Sequence, residues 1–446
     1  MRAATVPPRG PDEGEVAVYL QPLEGEAARL ALSFAAVALV RSDGGEVPLS
    51  LAVRDAAGAR QRRIAHGRVP SGQYVAANIR IERATVETGE RPADLHVAPE
   101  PVRVDAAFRV LPGRAVLVQL QLSVARSEQP GFGFAPSFFS AAAGPGTTQS
   151  VGYATAPGSD LVTVFDRRTR QVTGLVATGA RPRGVAFHPL LARAYVAISG
   201  EDRIEVLDVV TGEPLASVRL QGGDRPEAVA LTRDGRTMLV LAPGSDSLVF
   251  VDVDGSVEVG RVTVGEGATS LVVDGADRRA YVLNRRASTV TVVDLASQSV
   301  AATISTDAEP HRAALSARGD RLYVVHRGSA YLTIHTLPDL APAGRLYVGL
   351  GAAAVFVDPR TDLLYVSLDD DPRLQVYDPL SLVPVHHLDV GGTAADLAMD
   401  RAENVLFALV PERRDVAVVD LGSRRTVARL DMEGAPFDLA LLREGR

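Results

Sequence analysis

A segment of about forty residues recurs along the C-terminal two thirds of the chain, and this repeat constrains the fold more than any other feature of the sequence. One copy runs from Arg181 to Leu220, RPRGVAFHPLLARAYVAISGEDRIEVLDVVTGEPLASVRL. It contains four short apolar runs, GVAF, AYVA, IEVLD and LASVRL, separated by turn residues. Apolar and polar residues alternate within them, which is the period of a strand with one face buried. Four strands every forty-odd residues is the sequence pattern of propeller blades.

The register of the repeat can be counted. An acidic residue closes the third strand at Asp166, Asp208, Asp252, Asp294, Asp378 and Asp420, with His335 in the equivalent place of one deviant copy. The steps are 42, 44, 42, 41, 43 and 42 residues. An aromatic residue stands on most second strands, at Tyr153, Tyr195, Tyr281, Tyr323, Tyr365 and Phe407, with Leu239 substituting in one copy. Pro or Ala opens each first strand, at Pro182, Pro226, Ala268, Pro310, Ala352, Ala394 and Pro436. The last of these has no further strands after it, whereas the segment from Gly152 to Thr178 supplies second, third and fourth strands without a first. Joining the two ends makes a seventh blade and removes the open edges of the array. The fold class predicted is therefore all-β, a seven-bladed β-propeller over 151–446 whose last blade is closed by both ends of the repeat region.

The (R/A)-x-YV second strands, V-x-V-x-D third strands and P-x-x-V-A first strands resemble those of YVTN-type seven-bladed propellers of bacteria and archaea. The asparagine that usually follows the YV pair in that family is represented here only by Asn284. The resemblance implies an extracytoplasmic location, periplasmic, outer-membrane-associated or secreted, and a binding role at the cell surface more often than catalysis.

Residues 1–14 are rich in Pro, Gly and acidic residues and are expected to be flexible. From 15 to 126 the pattern is again all strand but without the repeat. EVAVYL, ARLALSFAAVALV, PLSLAV, YVAANIRIE, VRVDAAFRV and AVLVQLQLS are broken by SDGGE, DAAGA and LPGR, a pattern that predicts an antiparallel β-sandwich. Within it, VPSGQYVAANIRI resembles the P-x-G-x-Y segment of small transthyretin-like and carbohydrate-binding-like sandwiches of surface proteins, which raises glycan binding as an alternative role for this domain. Tyr74 in that segment reads as a core or corner tyrosine. The stretch 127–150 holds four of the chain's twelve phenylalanines, Phe132, Phe134, Phe138 and Phe139. Burying each is worth about 1.5–3 kcal/mol, so these four are expected to pack into a seam between the two domains, an exposed partner patch being the alternative.

Composition excludes several functions. A net charge of −7 argues against a nucleic-acid surface. There is no lysine, so Schiff-base chemistry is excluded, and no cysteine, so there is neither a disulfide nor a thiolate metal site. All basic residues are arginine, as a GC-rich genome produces, with selection for forked guanidinium contacts as the alternative. The sequence as given shows no signal peptide and no membrane-length apolar run, which the family resemblance would reconcile with a mature or trimmed form.

The channel mouth, where the first strands begin, is the expected ligand site of such a propeller. One residue past the Pro/Ala marker the blades carry Arg183, Glu227, Thr269, His311, Ala353, Ala395 and Phe437; two past it, Gly184, Ala228, Ser270, Arg312, Ala354, Asp396 and Asp438. With Arg181 and Arg225 ahead of the marker, one side is rich in guanidinium groups suited to an anion. The candidate site is Arg181, Arg183, Arg225, Glu227, His311, Arg312, Asp396 and Asp438; mutual neutralisation of Arg183 with Glu227, and of Arg312 with Asp396 and Asp438, is the alternative.

Catalytic and metal motifs are weak. Of eight histidines only His311 stands at a first-strand entrance, and the adjacent His386 and His387 point to opposite faces of an outer strand. No Gly-x-Ser-x-Gly elbow, HExxH or phosphate-cradling glycine loop occurs, and Asp369-Asp370-Asp371 is a solvated acidic loop before it is a calcium site. The sequence therefore predicts no cofactor, no metal and no enzyme. It predicts a binding or scaffold protein that takes a protein partner or small anion at the channel mouth. The alternative is a propeller enzyme of lactonase or dehydrogenase-subunit type, with Glu227 or Asp438 near His311 transferring protons.

Overall fold

The computed structural model describes residues 10–23, 25–58, 60–88, 91–123, 133–141 and 150–442. It divides into two compact units, 1–146 with 163–177 and 147–162 with 178–446. No helix among the described residues is long and apolar enough to cross a membrane.

The first unit holds a separate β domain in which eleven strands hydrogen-bond into a single curled sheet. Its spine is Leu30–Arg41 paired antiparallel with Gly72–Glu87. Outward on one side follow Glu46–Leu51, Arg62–Pro70, Glu13–Leu20, Ala115–Leu122 and Phe138–Ala141. Two packed sheets were expected from the short apolar runs. The spine strands instead span 12 and 16 residues, and their register slips between Ser33 and Ala36 and again at Val40/Arg41. Such slips bend a strand and increase its twist, which lets one sheet curl around its own core. One core results, including Val18, Leu32, Phe34, Leu39, Ile64 and Ile79. Tyr74 belongs to it as a corner tyrosine: its hydroxyl donates to the Pro70 carbonyl at 2.8 Å and its ring stacks on Phe108 at 5.4 Å. A ring so covered cannot serve as a sugar platform.

The described part of the phenylalanine-rich stretch, 133–141, joins this sheet. Gly133–Phe134 pairs with Pro92–Val97, Phe138–Ala141 pairs with Ala115–Leu122, and the Phe134 and Phe138 side chains lie in the domain's own core. Phe139 is exposed, and Phe132 lies outside the described residues. Within the same unit, Gln61 binds Val172 in both directions, donating to its carbonyl at 3.0 Å and accepting its N–H at 2.7 Å.

The repeats form seven four-stranded sheets. We number as blade 1 the strands Pro182–Phe187, Arg193–Ile198, Arg203–Asp208 and Pro214–Arg219, and continue in chain order to blade 6 at Asp396–Asp431. Blade 7 takes its innermost strand, Asp438–Leu441, from the C-terminal end and its other three, Val151–Ala156, Leu161–Asp166 and Gln171–Ala177, from the beginning of the repeat region. Thr155 pairs with Asp438 and Gly152 with Leu441.

The periodic residues have local causes. Each acidic marker turns its third strand into the fourth by accepting backbone N–H groups two or three residues ahead: Asp166 from Arg168 and Thr169, Asp208 from Val210 and Thr211, Asp378 from Leu380 and Ser381. These are side-chain caps of the kind aspartate favours in turns. The aromatic markers Tyr153, Tyr195, Tyr281, Tyr323, Tyr365 and Phe407 are all buried. Gly235 and Gly319, in hairpins between first and second strands, have φ of 73° and 71°, a conformation that favours glycine.

Candidate functional site

The seven first strands pack each on the next and close a ring around a central channel. The residue before the marker is left-handed in five blades, at Arg181, Arg225, Gly267, Glu309 and Gly351. An aspartate from the preceding turn between second and third strands holds three of these positions. Asp160 accepts the N–H of Arg181 at 2.9 Å, Asp202 that of Arg225 at 2.7 Å and Asp246 that of Gly267 at 2.8 Å. This clamp fixes where each first strand enters the channel. The sequence carried its signal, an aspartate 21 to 23 residues upstream, which the count of strand markers did not include. Arg181 and Arg225 are thus fixed by their backbones while remaining exposed on the rim.

Deeper in, Arg183 donates to Glu227 at 2.9 Å, and its guanidinium lies 4.2 Å from the centre of the Phe437 ring. One half of the anticipated neutralisation therefore exists. Arg312 differs: among the described residues it forms no ion pair, although its charge reaches both Asp396 and Asp438.

Those two aspartates come together with each other. Asp438 accepts the N–H of Val185 at 2.7 Å and Asp396 that of Leu439 at 3.1 Å, so each carboxyl is fixed by the first strand of the next blade. The two carboxyls also lie close enough to influence one another's proton affinity. Protein surrounds both closely enough that burial is the main influence raising the proton affinity of each. The neighbouring carboxyl adds to the effect at Asp396, and Arg312 opposes it at both. Like charges brought together in a poorly solvated place favour the protonated form.

His311 is pushed down to about 3, chiefly by burial and then by the charges of Arg312, Arg327 and Arg285, so its imidazole is neutral. Its Nδ1, together with Nε of Arg312 and Nε of Arg183, is buried with no hydrogen-bond partner among the described residues. Beside these residues, a cavity of about 690 Å³ opens at the mouth, lined by Glu227, Thr269, Arg285, Arg286, Ser288 and Glu309 among others. Arg285 pairs with Glu309 at 2.9 Å and Arg327 with Asp369 at 2.9 Å. Counting first-strand positions alone missed Arg285, Arg286 and Arg327. They follow the second strands, whose ends share this face because Arg285 and Arg327 donate their N–H groups to Gly267 and Glu309.

The other sequence candidates take no part in the site. His386 and His387 lie on the outer strand of blade 5, opposite Val376 and Gln375. In the triple-aspartate loop Asp369 is held by Arg327 and Asp371 by Arg373. No three His, Asp or Glu side chains among the described residues gather as a metal ion would require.

Fold and hub together define the class, a seven-bladed β-propeller with an asymmetric, arginine-rich channel mouth, joined to a curled β domain. No family model and no curated protein matches the sequence. Among solved structures, the chain is similar to a functionally unknown protein from Desulfotomaculum acetoxidans, with 12% identity over 66% of this chain and 99% of that one and a TM-score of 0.58. It is also similar to a candidate 6-phosphogluconolactonase from Bacteroides uniformis, at 13% identity over 66% and 100% of the two chains and a TM-score of 0.55. The dihydro-heme d1 dehydrogenase NirN matches at 16% identity over 66% and 76%, with a TM-score of 0.53. At such identities these likenesses establish the propeller fold alone.

Proposed function

We propose that this protein binds a small anion, a carboxylate or phosphate, at the mouth of its propeller channel. The observation that carries this reading is that Nε of Arg183, Nδ1 of His311 and Nε of Arg312, all on first strands around one channel, are buried with no hydrogen-bond partner among the described residues. Leaving a buried polar group unmet costs about 1–3 kcal/mol, and a ligand oxyanion is the partner that answers two guanidinium groups at once. Arg285 and Arg286 in the adjoining cavity favour the approach of negative charge. The likeness of the repeats to YVTN-type propellers supports a place of action outside the cytoplasm. An acidic side chain presented by a protein partner in the cell envelope would meet the same groups.

Isothermal titration with citrate, succinate and inorganic phosphate tests the proposal. The wild type is expected to bind at least one of them and to melt higher in its presence. The Arg183→Ala/His311→Ala/Arg312→Ala variant is expected to lose at least ten-fold in affinity. Equal binding by both proteins would place the site elsewhere, and no binding of any of the three would overturn the reading.

A further inference from the structure

We propose that the cavity at the mouth is a binding site of its own, for a small zwitterion, a free α-amino acid or a dipeptide. The ligand's carboxylate would lie on Arg286 and its ammonium on the carboxylates of the lining, Glu227 and Glu309. This goes beyond the anion reading, which rests on the hub nitrogens of Arg183, His311 and Arg312.

The charge of the cavity selects this class of ligand. Four charged side chains line it, the guanidinium groups of Arg285 and Arg286 and the carboxylates of Glu227 and Glu309, so their formal charges cancel. A dianion there would lie against two carboxylates, and a simple cation against two guanidinium groups. A molecule with one charge of each sign finds a partner for both. The carboxylates keep capacity for an ammonium. Glu309 gives Oε2 to Arg285 and Glu227 gives Oε1 to Arg183, each at 2.9 Å. Among the described residues the other oxygen of each accepts no hydrogen bond. An ionised carboxylate has about four lone-pair sites, so an ammonium can join either pair without displacing its arginine. The volume, about 690 Å³, falls among small-ligand sites of about 300–1,000 Å³. Pro243 and Ala268 add apolar lining for a ligand side chain.

Arg286 is the second, independent observation. It is exposed, and among the described residues its side chain forms no ion pair and no hydrogen bond. Its stem is nonetheless placed. Gly267, before the first strand of blade 3, has a φ of 70°, and Arg181, Arg225 and Glu309 adopt 59°, 48° and 55° at the same point of blades 1, 2 and 4. That turn therefore accepts a side chain. Glycine at 267 supplies room instead: a Cβ there would lie 3.0 Å from Cγ and 3.1 Å from Nε of Arg286, closer than side chains ordinarily pack. Arg286 thus lies across the strand entrance with its guanidinium unpaired, in a form suited to the two oxygens of a carboxylate.

Isothermal titration of the full-length protein with L-leucine and L-alanyl-L-leucine tests the proposal. The single-charge analogues 4-methylpentanoate and 3-methylbutylamine are the comparison. The wild type is expected to bind at least one zwitterion, about ten-fold or more tighter than either analogue. The tighter of the two zwitterions identifies the source as amino acid or dipeptide. Arg286→Gln should lose about ten-fold in zwitterion affinity with an unchanged melting temperature, since it removes no contact of the fold. Gly267→Ala keeps every charge and should lower affinity by displacing Arg286; if it does not fold, Arg286→Gln carries the test. Glu227→Gln/Glu309→Gln should reverse the preference, weakening the zwitterion and strengthening 4-methylpentanoate. Equal affinity for a zwitterion and 4-methylpentanoate in the wild type overturns the proposal, as does full zwitterion affinity in Arg286→Gln. Succinate or phosphate binding without binding of either zwitterion overturns the cavity site and leaves the anion reading standing. Zwitterion binding with none of the simple anions bound does the reverse, and no binding at all overturns both.

Discussion

Asp438 accepts the backbone N–H of Val185 at 2.7 Å, joining residues 253 positions apart. The bond runs from the innermost strand of blade 7, the blade in which the two ends of the repeat region pair and close the ring, to the first strand of blade 1. Asp396 makes the equivalent bond to Leu439 one blade earlier, so two acids of identical register stitch blades 6, 7 and 1 together. The candidate site and the closure of the fold therefore share residues.

Truncation after Glu433 removes the strand Asp438–Leu441 and leaves Val151–Ala156 an exposed edge. It also removes Phe437 from beneath Arg183 and the acceptor from Val185. The expected outcome is loss of the cooperative melt and rapid proteolysis of the repeat region. Wild-type melting of the truncated chain, followed by circular dichroism, would show that closure is dispensable.

The acid pair makes stability fall as pH rises. An unfolded aspartate loses its proton near pH 4, whereas the folded pair holds one to about 7 at Asp396, even against the positive charge of Arg312 facing it. Between those values the folded protein carries the extra proton. Its stabilising effect is complete below the lower value and is lost at about 1.4 kcal/mol per pH unit toward the upper one. Denaturation midpoints measured from pH 5 to 8 should decline, and Asp396→Asn should flatten the decline. A wild-type midpoint constant over that range would show that the pair is not protonated.

Chelation of calcium should leave the melting temperature unchanged. Arg327 and Arg373 already occupy Asp369 and Asp371, at 2.9 and 3.1 Å, and a cation would have to displace both guanidinium groups. A drop in melting temperature with EGTA, restored by added calcium, would show that it does displace them.

The blade architecture was legible because its determinants are local and recur. An aspartate that caps its own turn and a tyrosine that fills its own blade reappear at a fixed spacing whatever the ligand. The curled sheet was not legible in the same way, because bulges between Leu30–Arg41 and Gly72–Glu87 set its path and no alternation marks them. Phe134 and Phe138 announced burial, but their destination depended on pairing with strands far from them in sequence. At the hub, register placed Asp396, Asp438, His311 and Arg312 on one channel. Charge alone suggested that Arg312 would be the partner of the acids. The raised proton affinity of the two aspartates depends on their desolvation, which no sequence pattern displays.

The bond between Arg261 and Asp224 offers the sharpest test of what the arginines do away from the channel. Both terminal nitrogens of Arg261 close on the Asp224 carboxylate, at 2.7 and 2.8 Å, and Asp224 is only 1% exposed. Burial alone would raise the carboxyl's proton affinity, but Arg261, Ser245 and the Gln221 N–H hold it below the ordinary range. The outer strands of blades 4 and 6 repeat the device, with Arg345 on Asp307 and Arg429 on Asp415. Arg261→Met removes the cation and leaves a buried carboxylate unmatched, a change that typically costs about 3–5 kcal/mol. Arg261→Lys keeps the charge but loses the fork, so an intermediate loss is expected. Asp224→Asn/Arg261→Met, with both charges gone, should recover much of the difference. If Arg261→Met melts with the wild type, the fork contributes nothing to stability. If Lys does as well as Arg, charge alone suffices and guanidinium geometry has no role at this position.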